Sequence, residues 1–229
     1  MAEISLFDVI GPNMVGPSSS HTAGAVSMAL LAGRIFQGTE KRKRTVKRVD
    51  FILYGSFAET YKGHGTDRAL LGGILGFEPD DLRIRDAFFY AEKAGLEYAF
   101  SLSEDHDMHP NTADITIEGT DGRKLFVRGV STGGGKIKLT LLNQIRVEIE
   151  GGYSTLIISH ADRQGVAAHI TKCLNDCGIN IAFMRIFREE KGTEAYTVVE
   201  SDEEIGAEVI SLIGENSNIL DVIFIADGI

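Results

Sequence analysis

The last third of this chain carries the pattern that most restricts its fold. After Glu150-Gly151-Gly152, the run Thr155-Leu156-Ile157-Ile158-Ser159 reads as a strand, and Asp162 to Gly165 as a turn. From Val166 to Cys177 the apolar positions Val166, Ile170, Cys173, Leu174 and Cys177 recur at helical spacing. Gly178 stands where glycine commonly ends a helix. Strands are expected at 180–188 and 194–200 with Lys191-Gly192 turning between them, then a helix at 203–214 and a strand at 219–225. The order β-α-β-β-α-β is the ferredoxin-like arrangement.

The region before the break is mixed. The sequence predicts helix at 22–36, a buried strand at about 48–54, and helix again at about 66–76 and 86–94. Alternation follows at Ile115 and Ile117, at Leu125 and Val127, and at Ile145, Val147 and Ile149, with Asp121-Gly122 as a hairpin turn signal. This order implies an α+β domain with helices packed on a mostly antiparallel sheet. The domain boundaries expected are 1–150 and 153–229.

Composition excludes several classes of function. The chain has 229 residues, 43% hydrophobic and 24% charged, which is the balance of a folded globular protein. A net charge of −10 argues against nonspecific nucleic-acid binding. The basic run Lys41-Arg42-Lys43-Arg44 with Lys47 and Arg48 reads as a solvated loop between a helix and a strand. No stretch approaches the ~18 apolar residues of a membrane span, and no charged-then-apolar leader opens the chain. A cytoplasmic protein is expected. Cys173 and Cys177 are the two cysteines. A cubane iron–sulfur cluster needs three or four cysteine ligands, so this chain alone is not expected to hold one.

The chemistry gathers in short motifs. Gly16-Pro17-Ser18-Ser19-Ser20-His21-Thr22 puts four hydroxyls and an imidazole at the start of an apolar helical run. A serine or threonine there caps the helix, and the capped end favours an anion such as a carboxylate. His21 beside it can carry a proton near neutral pH. Taken alone, the same cluster is also an ordinary serine-rich cap. Gly63-His64-Gly65-Thr66-Asp67 places a second histidine between two glycines, with Thr66 or Asp67 available to orient it. In His109-Pro110-Asn111-Thr112, Asn111 either binds substrate or caps a turn. Ser131-Thr132-Gly133-Gly134-Gly135-Lys136 allows backbone amides to converge on an anion, but it lacks the phosphate-loop pattern.

Occurring in this order, with Leu6-Phe7-Asp8-Val9-Ile10-Gly11-Pro12 ahead of them, these motifs resemble the beta subunit of the two-subunit, iron–sulfur-dependent bacterial L-serine dehydratases. The resemblance covers essentially the whole chain. It implies an N-terminal serine dehydratase beta-type domain, akin to allosteric substrate-binding domains, followed by an ACT domain. It further implies deamination of L-serine to pyruvate and ammonia, a reaction of amino-acid catabolism and gluconeogenesis. The 4Fe–4S cluster would be held by the alpha subunit. His21 and His64 become the candidates for the base, with the choice between them open. Ser18, Ser19, Ser20, Thr22 and Asn111 become candidates for holding substrate. Asp162, Gly165 and Val166 correspond to the turn through which ACT domains receive small effectors, often across a homodimer, although a plain strand-to-helix turn fits the residues equally. A different class of reading is a purely regulatory amino-acid- or cation-sensing module. A serine hydrolase built on Ser19 and His21 is disfavoured, because no G-x-S-x-G elbow is present.

Overall fold

The computed structural model describes residues 13–38, 44–150, 153–188 and 190–225. The Leu6–Pro12 motif, Lys41 to Lys43 of the basic run and the Gly151-Gly152 break lie outside the described residues. Two compact units divide the described chain. One holds residues up to 36 together with 44–143; the other holds 144–225 with 37 and 38. Among the described residues no helix is long and apolar enough to cross a membrane.

In the first unit a π-helical turn, Ser19–Ala23, runs directly into α1 (Gly24–Gln37). Twelve of the fourteen α1 residues are buried, so this helix is the apolar centre of the unit and not a surface stripe. After β1 (Val46–Leu53) come α2 (Gly55–His64), α3 (Thr66–Ile74), a 3₁₀ turn at Leu82–Asp86 and α4 (Ala87–Lys93). They lead to β2 (Glu97–Leu102), which pairs with β1 in parallel. A parallel pair needs a crossover, and the α2–α4 segment provides it. The strands β3 (Thr112–Gly119), β4 (Lys124–Gly133) and β5 (Lys136–Leu142) then add in antiparallel fashion, giving the order β2-β1-β3-β4-β5 within this unit.

The expected α+β class holds, but helix α2 and strands β2 and β5 are not among the elements the sequence pattern predicts. The segment 55–64 is a helix that hydrophobic periodicity does not reveal, because Phe57 is its one buried residue. Ser131 to Gly135 is no free loop: its first three residues complete β4, and the chain turns there into β5. Asp121-Gly122 does form the β3–β4 hairpin, with Gly122 at φ 78°.

The second unit opens with β6 (Ile145–Ile149). Then follow β7 (Ser154–Ala161), α5 (Val166–Asp176), β8 (Phe183–Arg188), β9 (Glu194–Ser201), α6 (Ala207–Ile213) and β10 (Ile219–Ile225). The sheet order β10-β7-β9-β8, all antiparallel, is that of a ferredoxin-like fold. Val166, Ile170, Cys173 and Leu174 of α5 pack with Val209 and Ile213 of α6 onto Leu156, Ile158, Val199 and Val222 of the sheet. The helix expected at 203–214 is shorter. Its intended first turn is diverted: Glu203 donates its N–H to Ser201 Oγ (3.0 Å) and accepts the Asn180 N–H (2.9 Å).

Candidate active site

Three motif segments meet at the π turn, which packs on α2, α3 and β4. Ser18 caps the turn: its Oγ accepts the His21 backbone N–H (3.3 Å) and lies 3.3 Å from His21 Nδ1. The Gly24 N–H reaches back to the Ser19 carbonyl, five residues earlier. That wide turn aims His21 at α2. The other ring nitrogen, Nε2, lies 3.1 Å from Ser56 Oγ. The ring itself packs edge-on against His64 (centroids 4.8 Å apart) and Phe57 (5.1 Å). Residues from two distant motifs are thus in direct contact.

His64 is the last residue of α2. Gly65, at φ 72°, ends that helix and begins α3, a left-handed joint that suits glycine. The group orienting His64 is neither Thr66 nor Asp67. It is Thr60, one turn back on the same helix, with Oγ1 3.1 Å from His64 Nδ1. Asp67 turns instead to the Arg68 N–H (2.8 Å), and burial pushes its carboxyl up. His64 is half-buried, and Nε2 has no hydrogen-bond partner among the described residues.

The start of α2 is fixed from below. Gly55 sits at φ 48°, and a Cβ there would come within 2.7 Å of Pro110 Cα. The His109–Thr112 motif lies on this helix end: Phe57 N–H donates to the Pro110 carbonyl and Tyr54 N–H to that of Thr112 (3.1 Å each). Asn111 accepts the Ser131 N–H at its carbonyl (3.0 Å), tying the loop to β4. Beneath it, Tyr54 Oη donates to Asp114 (2.8 Å), and Arg128 grips the same carboxylate through Nε (2.6 Å) and Nη2 (2.7 Å). The hydrogen bonds from half-buried Arg128 to buried Asp114 raise the Arg128 pKa, so the guanidinium stays charged.

Each of three motifs also leaves one hydroxyl unpaired in the interior. Thr22 Oγ1, Thr66 Oγ1 and Ser131 Oγ are buried without a partner among the described residues. An unsatisfied buried hydroxyl costs about 1–3 kcal/mol, so such groups tend to be retained for a purpose. Ser19 and Ser20 are half-buried in the π turn.

Burial holds His21 below the ordinary histidine value of 6.5, and positive charge at His64 lowers it further, against a partial offset from a hydrogen bond at Ser56. The unfolded chain therefore binds a proton at this residue more readily than the folded chain. Stability owed to His21 is complete above pH 6.5 and is lost as pH falls through the lowered folded value. Denaturant midpoints measured from pH 7.5 down to pH 5 should fall more steeply for the native chain than for His21→Gln.

Cys173 is buried in the α5 core and Cys177 packs against that core, both thiols free, and burial pushes the Cys173 thiol up. In the second unit, Asp162 accepts the Gly192 N–H and the Arg188 Nη1 (2.9 Å each), contacts that hold its carboxyl below the usual range. Gly165, at φ 91°, leads into α5, and Val166 is buried against the core.

Residues 5–152 match the serine dehydratase beta chain family. The chain belongs to that family. It is 40% identical over 223 residues to the probable L-serine dehydratase beta chain of Bacillus subtilis (strain 168), covering 97% of this chain and 98% of the relative. It is 45% identical over 182 residues to the L-serine dehydratase beta chain of Peptoniphilus asaccharolyticus, 79% of each. A D-3-phosphoglycerate dehydrogenase of Methanocaldococcus jannaschii is 30% identical over 188 residues, 78% of this chain but 33% of that protein. The family's matched span contains every motif that meets at the π turn.

Ser56, Phe57, Thr60 and the Tyr54–Asp114–Arg128 network are the site residues that motif reading overlooks. One signal for them is present in the sequence: Ser56, Thr60 and His64 are spaced by four, which aligns them on one face once the segment is helical.

Proposed function

We propose that this chain is the beta chain of a two-chain L-serine dehydratase, supplying the base and the substrate-holding groups while an alpha chain carries a 4Fe–4S cluster. One observation carries the reading. His21 and His64 touch, both nitrogens of His21 are engaged by Ser18 and Ser56, and Nε2 of His64 alone is left with a lone pair to offer. His64 is then the group that removes the α-hydrogen of L-serine, and His21 packs against its ring and holds it in place. Removal of the α-hydrogen and loss of the β-hydroxyl give 2-aminoacrylate, which hydrolyses to pyruvate and ammonia. Thr22, assisted by Thr66 and Ser131, would recover the cost of an unpaired hydroxyl by donating to the substrate carboxylate. Ser18 acts by shaping the site, since its hydroxyl is spent on the cap, while Asn111, its backbone tied to β4, would offer its side-chain amide to the substrate. Ser19 and Ser20 belong to the same turn.

In this reading residues 1–150 are the catalytic beta-type domain and 153–229 an ACT domain. Its Asp162, Gly165 and Val166 turn receives a small effector, across a homodimer. The enzyme works in the cytoplasm. Cys173 and Cys177 have a packing role, so replacing both with alanine should cost about 1–2 kcal/mol of stability through lost apolar contact. The iron content of the assembled enzyme should stay unchanged; loss of iron would put cluster ligands on this chain.

The likeness to a phosphoglycerate dehydrogenase favours a second reading, a regulatory module that touches no chemistry. Anaerobic reconstitution with iron and sulfide, followed by an L-serine deamination assay with and without the alpha chain, separates the two. Catalytic sharing predicts no pyruvate from this chain alone, pyruvate with the partner, and loss of it on His64→Gln. An intact cluster on the partner with turnover indifferent to His64→Gln supports the regulatory reading.

A further inference from the structure

Thr60 holds two contacts at once. Its Oγ1 is 2.8 Å from the Ser56 backbone carbonyl and 3.1 Å from His64 Nδ1. A carbonyl oxygen only accepts, so the first contact requires the single hydroxyl proton of Thr60. That proton cannot also serve the imidazole. Both contacts are satisfied together in one arrangement: Thr60 O–H donates to Ser56, and His64 Nδ1–H donates to Thr60. Neutral His64 is then protonated at Nδ1 and bare at Nε2, the nitrogen without a partner among the described residues. Which ring nitrogen of a histidine carries the proton is set by the hydrogen bond that the other end of the ring makes.

The helix gives this arrangement its rigidity. A threonine bonding back to the carbonyl four residues earlier is a common local habit. Here the acceptor left over on the same oxygen meets a histidine one turn further on. Ser56 joins the two histidines: its carbonyl anchors Thr60, and its own hydroxyl lies 3.1 Å from His21 Nε2.

We propose that Thr60 is a positioning residue that fixes His64 as the Nδ1–H tautomer and so keeps its Nε2 lone pair available as the base. The proposal rests on the reading of His64 as the base, but the tautomer can be observed without any turnover. The decisive experiment uses the full-length chain with ¹⁵N-labelled histidine and long-range ¹H–¹⁵N correlation above neutral pH, the His64 signals being assigned by their loss in His64→Gln. The native chain and Thr60→Ser, which keeps the hydroxyl, should show His64 protonated at Nδ1. Thr60→Val, which keeps the shape but removes the oxygen, should shift it toward Nε2–H. In the assembled enzyme, kcat for L-serine should fall on the order of tenfold in Thr60→Val with KM nearly unchanged, and recover in Thr60→Ser. The fall is moderate because a released ring divides between its two tautomers and is not forced into the wrong one. A native His64 protonated at Nε2, or a tautomer unmoved in Thr60→Val, overturns the proposal. Should His64→Gln turn over serine at the native rate, the base assignment fails separately, and the spectra still decide what Thr60 does.

Discussion

Replacing His64 with glutamine should lower kcat for L-serine deamination by the assembled enzyme by about 10²–10⁴-fold, the span that a positioned general base contributes. Glutamine is close in size and keeps a hydrogen-bonding group near Thr60, so the packing around α2 is preserved. What it lacks is a nitrogen that can take up a proton. The thermal midpoint should therefore change little, since His64 is half-buried at a helix end and its neighbours Thr60 and His21 remain. The contrast with His21 sharpens the assignment. His21→Gln removes a buried ring that touches Phe57 and bridges Ser18 to Ser56, so it should disturb stability and turnover together. A pH profile of kcat/KM whose acidic limb disappears in His64→Gln but survives in His21→Gln would separate the base from its support. The reverse pattern would exchange their roles.

The second large effect is one of stability. Gly73 lies in α3 where it crosses α1, and a Cβ there would collide with the Val26 carbonyl oxygen, the Ala29 Cβ (2.8 Å) and the Leu30 nitrogen (2.8 Å). Two of those three are backbone atoms of a buried helix and cannot step aside. Alanine is the better helix former by up to about 1 kcal/mol, but overpacking a core costs about 1–3 kcal/mol. With backbone as the obstacle, the upper end applies, and Gly73→Ala should lose on the order of 2 kcal/mol net. For a chain of this size that is a fall in Tm of roughly 4–8 °C. Gly63→Ala is the matched control: it lies in α2 with nothing within 4 Å of its added Cβ. It should gain a few tenths of a kcal/mol by helix propensity. Equal effects from the two substitutions would mean that the α1–α3 crossing is looser than its geometry indicates.

Legibility in the sequence followed the source of each element's stability. In the second unit the elements are locally amphipathic, so the spacing of Val166, Ile170, Cys173 and Leu174 was enough to place α5 and the ferredoxin-like order. Helix α2 left no such trace. With Phe57 as its one buried residue, it is held by the Pro110 and Thr112 carbonyls and by the joint at Gly65, contacts made by residues far away in the chain or by backbone alone. Strand β2 is hidden for a related reason: its parallel pairing with β1 exists only after the crossover has folded, and four of its six residues are exposed. The motifs identified His21 and His64 as chemically notable but could not show them touching. The partner of His64 lay one turn upstream, in a helix whose existence the periodicity concealed.

The π turn at Ser19–Ala23 has a consequence for how this protein can change over evolutionary time. The turn spans one residue more than an α-helical turn, closing from the Gly24 N–H to the Ser19 carbonyl. Deleting one serine would remove the extra residue that the wide turn accommodates, and the residues that now form the turn, His21 among them, would have to take new positions relative to α1. Either His21 would swing away from His64, or the apolar faces of α1 would leave their seats. The length of the serine run is therefore constrained, in addition to the Ser18 hydroxyl that caps the turn and meets His21. An insertion or deletion there should be lethal to function even when every catalytic side chain is still encoded.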